Sequence, residues 1–195
     1  MAINLRPGVY DVTTMYGNMS VYSKVVVKTT IEGKDLVKMY QNGTQFFATF
    51  LGTDGKPLAN NTKVTFNING VFYTRQTNEN GVARLNINLR PGNYIITTIF
   101  EGLTIGNNIN VLPTLVTSDL SMKYLDGSKF TAQTLDGQGN PLTNQNVSFN
   151  INGVLYQKVT DKEGIASLNI TLLAGEYIIT SYWNDFQVGN TIKID

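Results

Sequence analysis

The stretch Val64-Thr65-Phe66-Asn67-Ile68-Asn69-Gly70-Val71 decides how this chain folds. Its apolar residues alternate with polar ones, the period of a strand with one buried face. Asn69-Gly70 then breaks the alternation. Asn-Gly accepts the positive φ angles of a type I′ turn, so the stretch predicts a hairpin closed by two residues. The same text returns as Val147-Ser148-Phe149-Asn150-Ile151-Asn152-Gly153-Val154, displaced by 152 − 69 = 83 residues.

Working outward, other segments repeat at the same interval. Asp54-Gly55-Lys56-Pro57-Leu58 matches Gln138-Gly139-Asn140-Pro141-Leu142. Thr77-Asn78-Glu79-Asn80-Gly81-Val82-Ala83 matches Thr160-Asp161-Lys162-Glu163-Gly164-Ile165-Ala166. A third series, Pro7-Gly8-Val9-Tyr10, Pro91-Gly92-Asn93-Tyr94 and Ala174-Gly175-Glu176-Tyr177, places its glycines 84 and 83 residues apart. A repeating unit of about this length is the primary fold signal. Two full units run over residues 29–112 and 113–195. Residues 1–28 match the C-terminal part of a preceding repeat, two strands near 9–16 and 19–27. The chain therefore reads as an excerpt of a longer array, with its joints at segments such as Leu112-Pro113-Thr114, where proline stiffens the backbone.

Strand signals fill each unit. The second has them near 118–124, 128–135, 145–151, 154–160, 164–172, 176–183 and 186–194. Seven short strands in some 80 residues, with turn chemistry between them, predict an all-β fold of tandem immunoglobulin-like sandwiches, about seven antiparallel strands in each. Alternation puts Val64, Phe66, Ile68, Leu85, Ile87 and Leu89 inward. Their counterparts are Val147, Phe149, Ile151, Leu168, Ile170 and Leu172.

Composition narrows the function. Of 195 residues, 15 are Lys or Arg and 14 are Asp or Glu, a net charge of +1, and none is Cys or His. Missing Cys and His remove thiolate chemistry, the commonest general base and the commonest metal ligands. No nucleophile elbow or phosphate-binding loop is present. The chain is read as no enzyme, with no cofactor and no catalytic or metal residues. No basic cluster points to nucleic acid, and no run is long and apolar enough to insert in a membrane. The N-terminus carries no apolar signal-peptide region, so any signal and anchor lie outside this chain.

The series Gly-x-Pro-Leu, Val-x-Phe-x-Ile-Asn-Gly-Val-x-Tyr, Thr-x-x-x-Gly-x-Ala, Leu-x-Ile-x-Leu and Gly-x-Tyr-Ile-Ile-Thr spans most of each unit. It closely resembles the repeats of adhesin-like surface proteins of methanogenic archaea, of the Methanobrevibacter type. More distantly it is similar to the immunoglobulin-like repeats of invasin and intimin. The resemblance implies an extracellular cell-surface protein. Its repeats would act as spacers and as a multivalent contact surface. The implied partners are a host or neighbouring-cell surface protein or glycan, and neighbouring repeats of the same protein.

Four sets of residues are candidate sites. Tyr182, Trp183 and Phe186 form an aromatic turn that could contact a ligand, in an alternative reading as a carbohydrate- or cell-wall-polymer-binding module. Against that stands an interdomain contact. Lys38 and Asn107 lie on inward-facing positions and are a candidate isopeptide pair, although Met122 stands where the second unit would need its lysine and no inward acid accompanies them. Asn18, Asn42, Asn60, Asn146 and Asn169 head Asn-x-Ser/Thr sequons. Loops at Asp54, Asp136 and Asp161 offer one or two carboxylates each, which turn formation explains as well as calcium does.

Overall fold

The hairpin read at 64–71 forms with its pairing set by the turn. The structure is a computed structural model and describes residues 5–195. Ile68 sits opposite Val71, and Asn69 and Gly70 both take positive φ, 53° and 77°. Asn152 and Gly153 repeat this at 52° and 80°. These are the signs of a type I′ turn, whose twist matches the flanking strands.

All the described secondary structure is β. A first hairpin comprises β1 (Gly8–Tyr16) and β2 (Met19–Val27). There follow β3 (Ile31–Gly33), β4 (Leu36–Met39), β5 (Gln45–Phe50), β6 (Lys63–Ile68), β7 (Val71–Gln76), β8 (Val82–Asn86), β9 (Gly92–Phe100) and β10 (Leu103–Leu112). The same series returns as β11 (Leu115–Thr117), β12 (Leu120–Met122), β13 (Lys129–Thr134), β14 (Asn146–Ile151), β15 (Val154–Val159), β16 (Ile165–Asn169), β17 (Gly175–Trp183) and β18 (Phe186–Ile194). The chain divides into two compact units. One holds the described part of Met1–Leu36 with Gln45–Asn86 and Tyr94–Ile109; the other holds Val37–Thr44, Ile87–Asn93 and Asn110–Asp195.

In the second unit a five-stranded sheet ordered β12-β18-β17-β14-β15 faces a three-stranded sheet ordered β11-β13-β16. Their inner faces share one core. Val147, Phe149, Ile151, Ile179 and Ile192 come from the first, and Leu115, Phe130, Ala132, Ala166 and Leu168 from the second. Phe130 and Phe149 meet edge to face, 5.7 Å between centroids. Burying such a ring contributes about 1.5–3 kcal/mol, and the paired geometry adds about 0.5–1.5 kcal/mol.

The first repeat has sheets ordered β4-β10-β9-β6-β7 and β3-β5-β8. Phe66 packs edge to face on Phe46 and Phe50, at 5.8 and 6.2 Å. This is the immunoglobulin-like sandwich that the strand count predicts. Ten of the twelve residues placed inward are buried. Leu89 and Leu172 are half-buried, because β8 and β16 end three residues before them.

One expected strand divides in two. The segment read as a strand over 118–124 spans a crossover. Leu115–Thr117 pairs antiparallel with β13 in one sheet, and Leu120–Met122 pairs parallel with β18 in the other. A single strand changes sheets here, with Ser118 and Asp119 at the corner.

The Thr-x-x-x-Gly-x-Ala motif also has a physical cause. Thr77 Oγ1 donates to Ala59 O at 2.7 Å and accepts the Thr62 N–H at 3.1 Å. Thr160 does the same with Leu142 O and the Gln145 N–H. Gly81 has φ +68°, and a Cβ there would lie 2.5 Å from Phe50 O. Ala83 lies in the core, 1% exposed, where a larger side chain has no room.

Candidate functional site

The five-stranded sheet of the second repeat brings its most distinctive chemistry to the β17–β18 turn. β17 alternates strictly near its end: Ser181 and Trp183 point inward, and Tyr182 points out, 37% exposed. Of the three aromatic candidates, then, Trp183 lies in the core and Tyr182 on the surface. Phe186 is also covered. It meets Tyr40 edge to face at 4.7 Å, and the Arg90 guanidinium lies 5.9 Å from its centroid. All of these residues belong to the second compact unit, which includes segments 37–44 and 87–93. Asp185 completes the contact. Its carboxylate accepts from Tyr40 Oη at 3.4 Å and lies 3.7 Å from Arg90. The ion pair is largely exposed, so it adds at most about 1 kcal/mol.

Tyr182 stands on the outer face of the sheet. Ser148 lies opposite it on β14 and Gln187 opposite it on β18. Gln157 lies beyond Ser148 on β15. The row Gln157, Ser148, Tyr182, Gln187 presents one aromatic ring among hydrogen-bonding groups. A ring of this kind offers an apolar face with a polar tip.

Lys38 and Asn107 have separate partners. Lys38 is 5% exposed, and its ammonium donates to Asn42 O, Thr44 O and Ile87 O at 2.5, 3.0 and 2.8 Å. Three donors meet three carbonyls, so the buried cation is fully hydrogen-bonded. Burial holds its pKa below the ordinary lysine value. The second repeat holds the corresponding loop with the opposite charge. There Asp126 accepts the N–H groups of Lys123 and Ser128, both at 2.8 Å, and these bonds hold its carboxyl below the usual range.

Asn107 Nδ2 donates to Asp35 Oδ1 at 3.3 Å. The neighbouring Asn108 gives Asp35 its backbone N–H at 2.8 Å and its side-chain amide at 2.9 Å. Asp119 repeats the device at the β11–β12 crossover, accepting Asn190 Nδ2 at 3.1 Å and the Thr191 N–H at 2.9 Å. Asn190 Oδ1 in turn accepts Thr117 Oγ1 at 2.6 Å. Hydrogen bonds from Asn108, then Asn107, lower the pKa of Asp35. Those from the Thr191 backbone and then Asn190 lower that of Asp119. Sequence reasoning missed these clasps. The available signal was that Asp35 and Asp119 repeat 84 residues apart while Asn107 and Asn190 repeat 83 apart.

Among the sequons, Asn18, Asn60, Asn146 and Asn169 are exposed, while Asn42 is half-buried. Asn42 Nδ2 donates to Gly137 O at 2.6 Å, and its Oδ1 accepts the Thr44 N–H. The loop carboxylates close their own turns. Asp136 Oδ1 accepts the N–H groups of Gln138 and Asn140, Asp161 Oδ1 those of Glu163 and Ile165, and Asp54 that of Lys56.

No protein-family model matches the chain. Several solved structures are similar in part. The I9–I11 tandem of titin is 15% identical, covering 98% of this chain and 76% of its own, with a TM-score of 0.36. The D0-D1 domain of intimin is 16% identical over 85% of this chain and 97% of its own, at 0.35. Invasin, a bacterial integrin-binding protein, is 22% identical over 85% of this chain and 38% of its own, at 0.39. The immunoglobulin-like assignment follows from the strand order and register themselves.

Proposed function

We propose that this chain is a non-enzymatic structural and adhesive repeat module of an extracellular, adhesin-like cell-surface protein. It works as a spacer that carries load, and as one of many weak contact surfaces whose effect is multiplied by linkage. The repeating unit supports this reading, and one observation carries it. In the second repeat β12, near the start, pairs parallel with β18, the last strand. Tension applied along the chain pulls these two strands in opposite directions along their lengths. Their hydrogen bonds then load together in shear, and the Asp119 clasp bridges the same two strands. Forced unfolding reports the barrier to this step. Stretching the single chain by its ends should give a discrete unfolding peak, at lower force for Asp119→Ala. Extension without a peak, or an unchanged peak in the variant, would refute the load-bearing role.

One observation favours a second reading, a carbohydrate- or wall-polymer-binding module. Tyr182 is exposed in a row of Gln and Ser side chains. Binding of cell-wall polymer that disappears in Tyr182→Ala and survives in Tyr182→Trp would support it; equal retention by wild type and Tyr182→Ala would reject it.

A further inference from the structure

We propose that the β1–β2 hairpin is an acceptor for the earlier strands of another repeat of this same type, which would complete a third sandwich around it. This is independent of the load-bearing reading.

The hairpin is built like the last hairpin of each full repeat. Gly8–Tyr16 corresponds to Gly92–Phe100, and Met19–Val27 to 103–111, all displaced by 84 residues. β1 and β2 pair antiparallel from Gly8 opposite Val27 to Tyr16 opposite Met19, around a two-residue turn. β17 and β18 pair in the same way from Gly175 opposite Ile194 to Trp183 opposite Phe186. Tyr10 Oη donates to Arg6 O at 2.8 Å, and Tyr177 Oη donates to Leu173 O at 2.9 Å. This bond, from a tyrosine hydroxyl to the backbone four residues earlier, is the corner of a complete immunoglobulin-like sandwich. The hairpin carries it without the sandwich.

Its inner face keeps the matching pattern. Val12, Val25 and Val27 correspond to Ile96, Ile109 and Val111, which are 0%, 0% and 1% exposed. Along the same face Tyr16, Met19 and Val21 are 83%, 68% and 65% exposed. Both outer edges are unpaired among the described residues, since the sheet has two strands. In the second repeat the equivalent edges are occupied. β14 pairs with β17, and β12 pairs with β18. A two-stranded ribbon with an apolar face is marginal alone, and open edges accept strands. The occupant that fits has a Val-x-Phe-x-Ile strand for β1, a short parallel strand for β2, and a second sheet to cover the face. Residues 113–172 of this chain carry such a set, β11 to β16.

The test mixes the full chain with an isotope-labelled polypeptide of residues 113–172. A 1:1 complex with newly dispersed amide resonances is expected. Val12→Lys combined with Val25→Lys in the full chain should weaken it at least tenfold, and Val26→Ser, on the opposite face, should leave it within twofold. In case the separate polypeptide aggregates, residues 113–171 are also fused directly ahead of Leu5, the position equivalent to Leu172. The fused protein should gain one further cooperative unfolding transition, lost with the same two lysines. A complex or added transition that is sensitive to those lysines supports the proposal. Absence of both, or indifference to the lysines, overturns it. So does dimerisation of the full chain through this face.

Discussion

Asp119 Oδ1 accepts the backbone N–H of Thr191 at 2.9 Å, tying the β11–β12 crossover to the last strand. Asp35 holds Asn108 in the same way at 2.8 Å. The strand that changes sheets exposes backbone groups at its corner, and a short carboxylate satisfies them.

These clasps make stability acid-sensitive. The folded pKa of each carboxyl lies below the ordinary 3.8. A group depressed on folding contributes stability that is complete above the unfolded value and fades as pH falls through the folded one. Asp119→Ala should therefore be less stable at neutral pH and lose less on acidification below about pH 4. Urea midpoints at neutral and acid pH measure this; parallel losses in both proteins would contradict it.

Lys38→Met imports the residue of the second repeat without its Asp126 loop. Asn42 O, Thr44 O and Ile87 O each lose a donor. Relief of a desolvated charge offsets part of that loss. A net destabilisation of about 1–3 kcal/mol is expected by chemical denaturation. A gain in stability would show that the ammonium's desolvation outweighs its hydrogen bonds.

Two glycines with similar φ should respond differently. A Cβ on Gly70 meets nothing within 4 Å, whereas one on Gly81 would lie 2.5 Å from a backbone oxygen. Gly70→Ala should cost only the left-handed strain, about 1–2 kcal/mol. Gly81→Ala should cost more, because the clash is with backbone that cannot rotate away. Thermal unfolding of the two variants ranks them.

Trp183→Ala should destabilise the protein by about 3–5 kcal/mol, as truncation of a core aromatic does. Tyr182→Ala should change stability by less than about 0.5 kcal/mol. A ligand test that truncated Trp183 alone would confuse unfolding with lost contact, and calorimetry on both variants separates the two effects.

Ser181 Oγ is buried, and among the described residues it has no hydrogen-bond partner. Desolvating a hydroxyl without a partner is unfavourable. Ser181→Ala is expected to stabilise by about 1 kcal/mol in urea titration. A loss of stability would point to a bound water at this oxygen.

The sandwich was legible because its signals are local. Asn69-Gly70 prescribes a turn by φ alone, and Val64, Phe66 and Ile68 prescribe a buried face by alternation; both survive any tertiary context that keeps the strand. The 83-residue displacement then shows that the solution is used twice. Two things were not legible. Alternation across 115–122 says nothing about which sheet each half joins, because a residue faces the core from either side. The partners of Lys38 and of Phe186 lie far away in sequence, at Ile87, Arg90 and Tyr40. The sequence by itself determined the β fold, its period, its turns and its core. Tertiary structure alone decided the sheet exchange at Asp119, the three carbonyls around Lys38 and the burial of Trp183. Period and φ preference act within a few residues, whereas hydrogen-bond satisfaction and burial depend on what the fold brings alongside.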